Sequence, residues 1–195
     1  MESPASFTLR QALRTRALWQ FLVIGVMVSF SQLLVMTHLI AHATDRGLSP
    51  VLAATFVSVI GVSNMAGKLV MGLISDRIGR RASMTFSFAL AGATLLWLMA
   101  ARDVWAFYVF AAVFGFAYGS WMPMFPSLTA DLFGVASIGT IYGIVRAATS
   151  LGGAVGAYAG GYIFDLTQSY NIAFLVGTLL LAAGIALMVT LRQPP

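Results

Sequence analysis

The stretch Gly72-Leu73-Ile74-Ser75-Asp76-Arg77-Ile78-Gly79-Arg80-Arg81 constrains the fold of this chain more than any other, because it sets a cluster of charge between two long apolar runs. Before it, residues 51–74 carry only Lys68; after it, residues 83–101 carry no charge. A short basic hairpin between two membrane-length segments leaves few architectures open. The arginines stay in water and hold the loop to one side of a bilayer. The glycines allow the chain to reverse within a few residues. Asp76 can pair with nearby arginines or with a helix N-terminus.

The composition agrees. The chain has 195 residues, 59% hydrophobic and 9% charged, with a mean hydropathy of +0.90. Soluble domains carry about 25% charged residues, and a water-soluble fold of this length cannot hide so much apolar surface. The net charge of +5 does not read as a nucleic-acid footprint, since the basic residues lie at segment ends rather than on one patch. No nucleic-acid partner is expected. The chain has no Cys, which excludes a disulfide framework, a thiolate metal site and a cysteine nucleophile.

Six membrane segments are expected, at 17–40, 51–74, 83–101, 104–128, 138–162 and 171–191, each near the ~20 residues a span needs. All should be helices, because lipid satisfies no open backbone. The first is too long for a signal-peptide core and no A-x-A cleavage pattern follows it. The predicted fold class is therefore an all-α membrane protein. Its parts are a basic cytoplasmic segment at 1–16, a six-helix bundle at 17–191 and a tail at 192–195. Lys and Arg set the orientation. Arg10, Arg14, Arg16, Arg77, Arg80, Arg81 and Arg192 fall on one side, against Arg46 and Arg102 on the other. This places both termini in the cytoplasm of a protein integral to the cell (inner) membrane. The loop at 129–137 contributes only Asp131 and is placed inside by alternation. Within the first segment Thr8 and Gln11 have capping-box spacing. Residues 9–17 then read either as a short interfacial helix, with Leu9, Leu13 and Ala17 on one face, or as a plain basic flank.

The pattern Gly-x-x-x-Asp-Arg-x-Gly-Arg-Arg, at Gly72, Asp76, Arg77, Gly79, Arg80 and Arg81, resembles the loop signature of the major facilitator superfamily of secondary transporters. Ser-Phe-Thr-Leu-Arg-Gln-Ala-Leu-Arg-Thr-Arg-Ala-Leu-Trp-Gln-Phe at 6–21 is similar to the end of that family's central loop, ahead of its seventh helix. Ala130-Asp131-Leu132-Phe133-Gly134 is similar to the segment after the tenth helix. Gly160 to Tyr170, followed by Ala173-Phe174, is similar to the turn between the last two helices of monocarboxylate porters and oxalate/formate antiporters. The resemblance implies one six-helix half, the C-terminal one, of a twelve-helix transporter. It implies a small organic anion as substrate, with a proton as candidate co-substrate. Further partners are a complementary N-terminal half or a second copy, and the lipid bilayer. It also implies a gating role for the signature loop, with Asp76 bracing one half against the other.

Two charges lie inside spans, where ionisable groups are functional hypotheses by default. Lys68 sits about six residues from the expected end of the second span, roughly 9 Å. It either snorkels to the surface or faces an anion. The resemblance favours the anion, since the monocarboxylate branch typically carries there an arginine that binds the substrate carboxylate. Asn64, one turn away, stands where some members carry an acid, which removes a candidate proton carrier. Arg146 lies about eight residues into the fifth span, with Thr149 and Ser150 one turn deeper to share an anion's oxygens. The oxalate/formate branch places a lysine near Thr149, and its absence favours a generic carboxylate over oxalate. The bland alternative pairs Arg146 with Asp131 or loop carbonyls.

His38 and His42, at i, i+4, have the spacing of metal ligands, but no third ligand is evident. An interfacial pair is the commoner arrangement, and His38 is also a candidate for a polar seam or a proton shuttle. No metal or cofactor is expected. Gly152, Gly156 and Gly160, and Gly115 and Gly119, form G-x-x-x-G faces for close helix approach. Pro123 and Pro126 should kink the fourth span, where Tyr118 and Trp121 are candidates to line a cavity. There is no H-E-x-x-H, no G-x-S-x-G and no carboxylate cluster, so the chain does not read as an enzyme. Two readings remain: half of a carboxylate transporter working by alternating access, or a half-length membrane subunit that binds or supports without transporting.

Overall fold

The computed structural model describes residues 7–194, and every regular element among them is an α-helix. In order these are α1 (Leu9–Ala12), α2 (Arg16–Asp45), α3 (Pro50–Ile78), α4 (Arg80–Ala100), α5 (Val104–Trp121), α6 (Met124–Phe133), α7 (Ile138–Thr167) and α8 (Asn171–Thr190). Their starts follow local chemistry. Thr8 and Gln11 close the capping box on α1, Thr15 accepts from the Leu18 amide to open α2, and Ser49 caps α3 ahead of Pro50 at its first turn. The hairpin between α3 and α4 turns on Gly79 alone, at φ +89°, a conformation only glycine adopts without strain. Gly72 stays helical within α3. The expected fourth span is broken rather than merely bent, with α5 ending at Trp121 and α6 starting after Pro123. Prolines at 123 and 126 leave the carbonyls of Gly119 and Met122 without their helical donors.

The long helices outrun their expected lengths at the ends. α2 reaches Asp45, α3 reaches Ile78 and α7 reaches Thr167. Among the described residues, five stretches are long and apolar enough to cross a membrane: α2, α3, α4, Val104–Phe133 and α8. α7 matches α2 in length but is diluted by glycine and polar residues, so length and composition alone do not place it with the five.

Packing follows the small residues. α7 lies on α2, and a side chain at Gly152 would come within 2.5 Å of the Val26 carbonyl, while one at Gly156 would strike that of Phe30. α5 lies on α3 in the same way, with Gly115 against Ile60 and Gly119 against the Asn64 backbone. These are backbone-to-backbone approaches that any Cβ would block. α4 closes the back of the bundle against α8 and α5, and α8 also rests on α2. The interior is aromatic: Phe21, Phe56, Phe88, Phe107, Phe110, Phe133 and Phe174 are fully buried. α3 is the helix left most open, with Val62, Met65, Leu69 and Leu73 all exposed.

Candidate anion-binding site

The α2–α7 seam sets the register of the candidate site. With Gly152 and Gly156 pressed on Val26 and Phe30, α7 runs parallel to α2, so Thr149 meets Gly25 and Gly153 meets Ser29 and Leu33. A pocket of about 320 Å³ opens there, lined also by Tyr118 and Met122 from the end of α5 and by Arg146, Thr149, Ser150 and Gly153 of α7. Arg146 is exposed into it. Among the described residues its guanidinium has no ion-pair partner; the Asp131 carboxylate accepts from Arg80 instead. The bland pairing of Arg146 with Asp131 is thus not the arrangement found. Thr149 is buried, and its hydroxyl donates to the Arg146 carbonyl at 2.8 Å. Ser150 is exposed on the pocket. The arrangement offers a forked cation beside a hydroxyl, an amide and a phenol, which suits a small anion with two or more oxygens.

Arg146, Thr149 and Ser150 therefore come together as expected, while Lys68, Asn64 and His38 lie elsewhere. Lys68 is exposed on α3 between Met65 and Leu69. The longer α3 puts it about ten residues from the helix end, roughly 15 Å, against about eight residues and 12 Å for Arg146 from the start of the antiparallel α7. The two charges occupy one layer of the bundle. α2 stands between their helices, which do not pack on each other. Asn64 is buried beneath Gly119 of α5, and its Nδ2 finds no acceptor among the described residues. His38 is half-buried, and its Nε2 donates to the Ala157 carbonyl at 2.8 Å. His42 is buried, and its Nε2 donates at 3.4 Å toward the Leu98 carbonyl. The two rings thus serve as links from α2 to α7 and to α4, aimed at different carbonyls.

The signature loop is wired differently from the expectation. Asp76 and Arg77 are exposed. Arg80 binds Asp131 and the Ser127 carbonyl of α6 rather than Asp76, and Arg81 donates to the Leu191 carbonyl at 2.6 Å. Arg80 and Arg81 are therefore struts to α6 and to the chain's end. Sequence reasoning missed Ser29, Gln32 and Met122 as pocket residues. Ser29 and Gln32, three apart in a largely apolar helix that also carries Ser31, gave the available signal, since that spacing puts both on one helix face.

Comparison with known proteins fits this architecture. The family model of the Major Facilitator Superfamily matches residues 21–195. The chain is 32% identical over 156 residues to monocarboxylate transporter 13 of Rattus norvegicus, covering 79% of this chain and 36% of that protein. It is 31% identical over 120 residues to monocarboxylate transporter 9 of Gallus gallus, covering 60% and 24%. It is 31% identical over 153 residues to the uncharacterized MFS-type transporter YhjX of Escherichia coli K12, covering 75% and 37%. The chain spans about a third of the length of the curated relatives it matches. The relatives are named as transporters, not enzymes, and the apolar helices make the protein integral to a membrane. With the family model running from the first turns of α2 to the end, and the glycine-seamed helical bundle beneath it, the chain belongs to the Major Facilitator Superfamily.

Proposed function

We propose that this chain is one six-helix half of a secondary transporter for a small organic anion, a monocarboxylate or related carboxylate, working by alternating access. It sits in the cell (inner) membrane with both termini cytoplasmic and works with a complementary half or a second copy. The observation that carries this reading is Arg146. A guanidinium without an ion-pair partner among the described residues stands in the 320 Å³ pocket beside Gln32, Tyr118 and Ser150. Lys68 at the same depth on α3 supplies a second cation on a neighbouring open face. The names of the monocarboxylate transporter relatives supply the substrate class.

The test is uptake of radiolabelled short monocarboxylates into proteoliposomes carrying the full-length transporter that contains this half. Arg146→Ala should abolish uptake, and Arg146→Lys should remain well below the unmodified protein, because a point charge does not replace a two-pronged donor. Undiminished carboxylate uptake by Arg146→Ala would remove this pocket from the pathway.

A further inference from the structure

A second basic cavity, sharing no lining residue with the Arg146 pocket, lies where the described chain enters and leaves the bundle. It holds about 600 Å³ and is bounded by Arg14, Thr15, Arg16, Thr190, Arg192 and Gln193. Its walls are fixed by contacts that use up the neutral side chains. Gln20 donates from Nε2 to the Leu187 carbonyl and to the Thr190 hydroxyl, both at 2.8 Å, and so fastens the first turns of α2 to the last turn of α8. The Thr15 hydroxyl donates to the Ala12 carbonyl and accepts from the Leu18 amide. Gln193 donates to the Asp131 carbonyl, and Arg81 holds the Leu191 carbonyl.

The three guanidiniums are left over. Arg14, Arg16 and Arg192 are exposed, no Asp or Glu lines the cavity, and none of the three forms an ion pair among the described residues. Three positive forks around one fixed cavity attract an anion rich in oxygen acceptors. The surroundings say where that anion comes from. Trp19, one turn into α2, is 57% exposed, and its indole Nε1–H is tied back to the Leu13 carbonyl at 2.9 Å. Leu13 is exposed as well. An exposed indole anchored to the chain entry is the side chain that settles at the headgroup level of a bilayer. The cavity therefore sits at the membrane–water boundary, and it is roomy for a bare phosphate ion.

We propose that this cavity is a binding site for the phosphate headgroup of an anionic phospholipid. Arg14, Arg16 and Arg192 grip the phosphate oxygens, and the acyl chains run down the apolar flank beside Trp19. A basic recess between helix ends on the cytoplasmic side is the surface such lipids select. The site is separate from the Arg146 pocket, so its fate does not depend on the transport reading.

The experiment is native mass spectrometry of the purified full chain with phosphatidylglycerol or phosphatidylcholine of identical acyl chains. Phosphatidylglycerol should bind at least about tenfold more tightly. The preference should fall to near unity in the triple variant R14Q/R16Q/R192Q and persist in Arg77→Gln, which removes an exposed arginine outside the cavity. Added inorganic phosphate should leave bound phosphatidylglycerol in place. Equal binding of the two lipids, a preference unchanged in the triple variant, or displacement by inorganic phosphate would each overturn the proposal, the last by assigning the cavity to a soluble phosphate. Should the triple variant lose its helical circular dichroism, photoactivatable phosphatidylglycerol on the unmodified chain decides. It should label the peptides around Arg14, Arg16 and Arg192, and labelling confined to other peptides would overturn the assignment.

Discussion

Thr149 and Ser150 are neighbours with opposite duties. The Thr149 hydroxyl donates its hydrogen bond to the Arg146 carbonyl, and its methyl group faces Gly25, where an added Cβ would come within 2.8 Å of it. It is a packing residue that keeps one lone pair spare. Ser150 lines the pocket wall, exposed, with its hydroxyl in no hydrogen bond among the described residues. A hydrogen bond to a charged partner contributes about 1.5–3 kcal/mol, so Ser150→Ala should raise the KM for a carboxylate roughly tenfold or more. Thr149→Val, which keeps the shape, should leave KM within about twofold, as measured by the same proteoliposome uptake. A larger effect of Thr149→Val would exchange their roles. The adjacency of Arg146, Thr149 and Ser150 was legible because helical spacing is a local property. The partner of Arg80 was not, because Asp131 lies 51 residues downstream and only the folded bundle brings it near.

The seams between helices were legible in outline and blind in detail. G-x-x-x-G spacing announced faces for close approach, yet it named no partner. The structure pairs Gly119 with the backbone of Asn64 and Gly156 with that of Phe30. Gly119→Ala and Gly156→Ala should each lower stability by about 1–3 kcal/mol, the range for overpacking a close contact, seen as an earlier thermal transition in detergent by size-exclusion. Gly72 provides the contrast. An added Cβ there meets nothing within 4 Å, and the residue is helical, so Gly72→Ala should stabilise the isolated chain by about 0.5–1 kcal/mol. If Gly72→Ala nonetheless impairs the full-length transporter, the space it fills belongs to the other half. The break before α6 was readable as a proline effect. Its depth was not, since one pair of prolines bends or severs a helix according to what packs around it.

At the scale of the whole molecule, the helix ends around the α3–α4 hairpin are cross-tied while much of α3 and α7 is left open. The Arg80–Asp131 pair is partly exposed on both sides, 31% and 42%, and pairs of that kind contribute about 0–1 kcal/mol. Asp131→Asn should therefore shift the melting transition little. Asp76 touches no arginine in an ion pair among the described residues, so Asp76→Asn should leave the stability of this chain unchanged. In the full-length protein, the proposed brace predicts that Asp76→Asn raises cysteine labelling of the cytoplasmic cavity at equal protein level. Identical labelling and transport would confine Asp76 to its loop. The open faces carry a further consequence, for biogenesis. Arg146 and Lys68 are exposed on this chain alone, and a charged residue near the middle of a membrane helix costs about 2.5–3.5 kcal/mol even on insertion scales. Under the proposed pairing with a second half, a lone copy would be an unfinished product that membrane proteases can distinguish from a completed one by its uncovered charge. Its cellular half-life would then be a direct readout of whether the proposed companion has arrived.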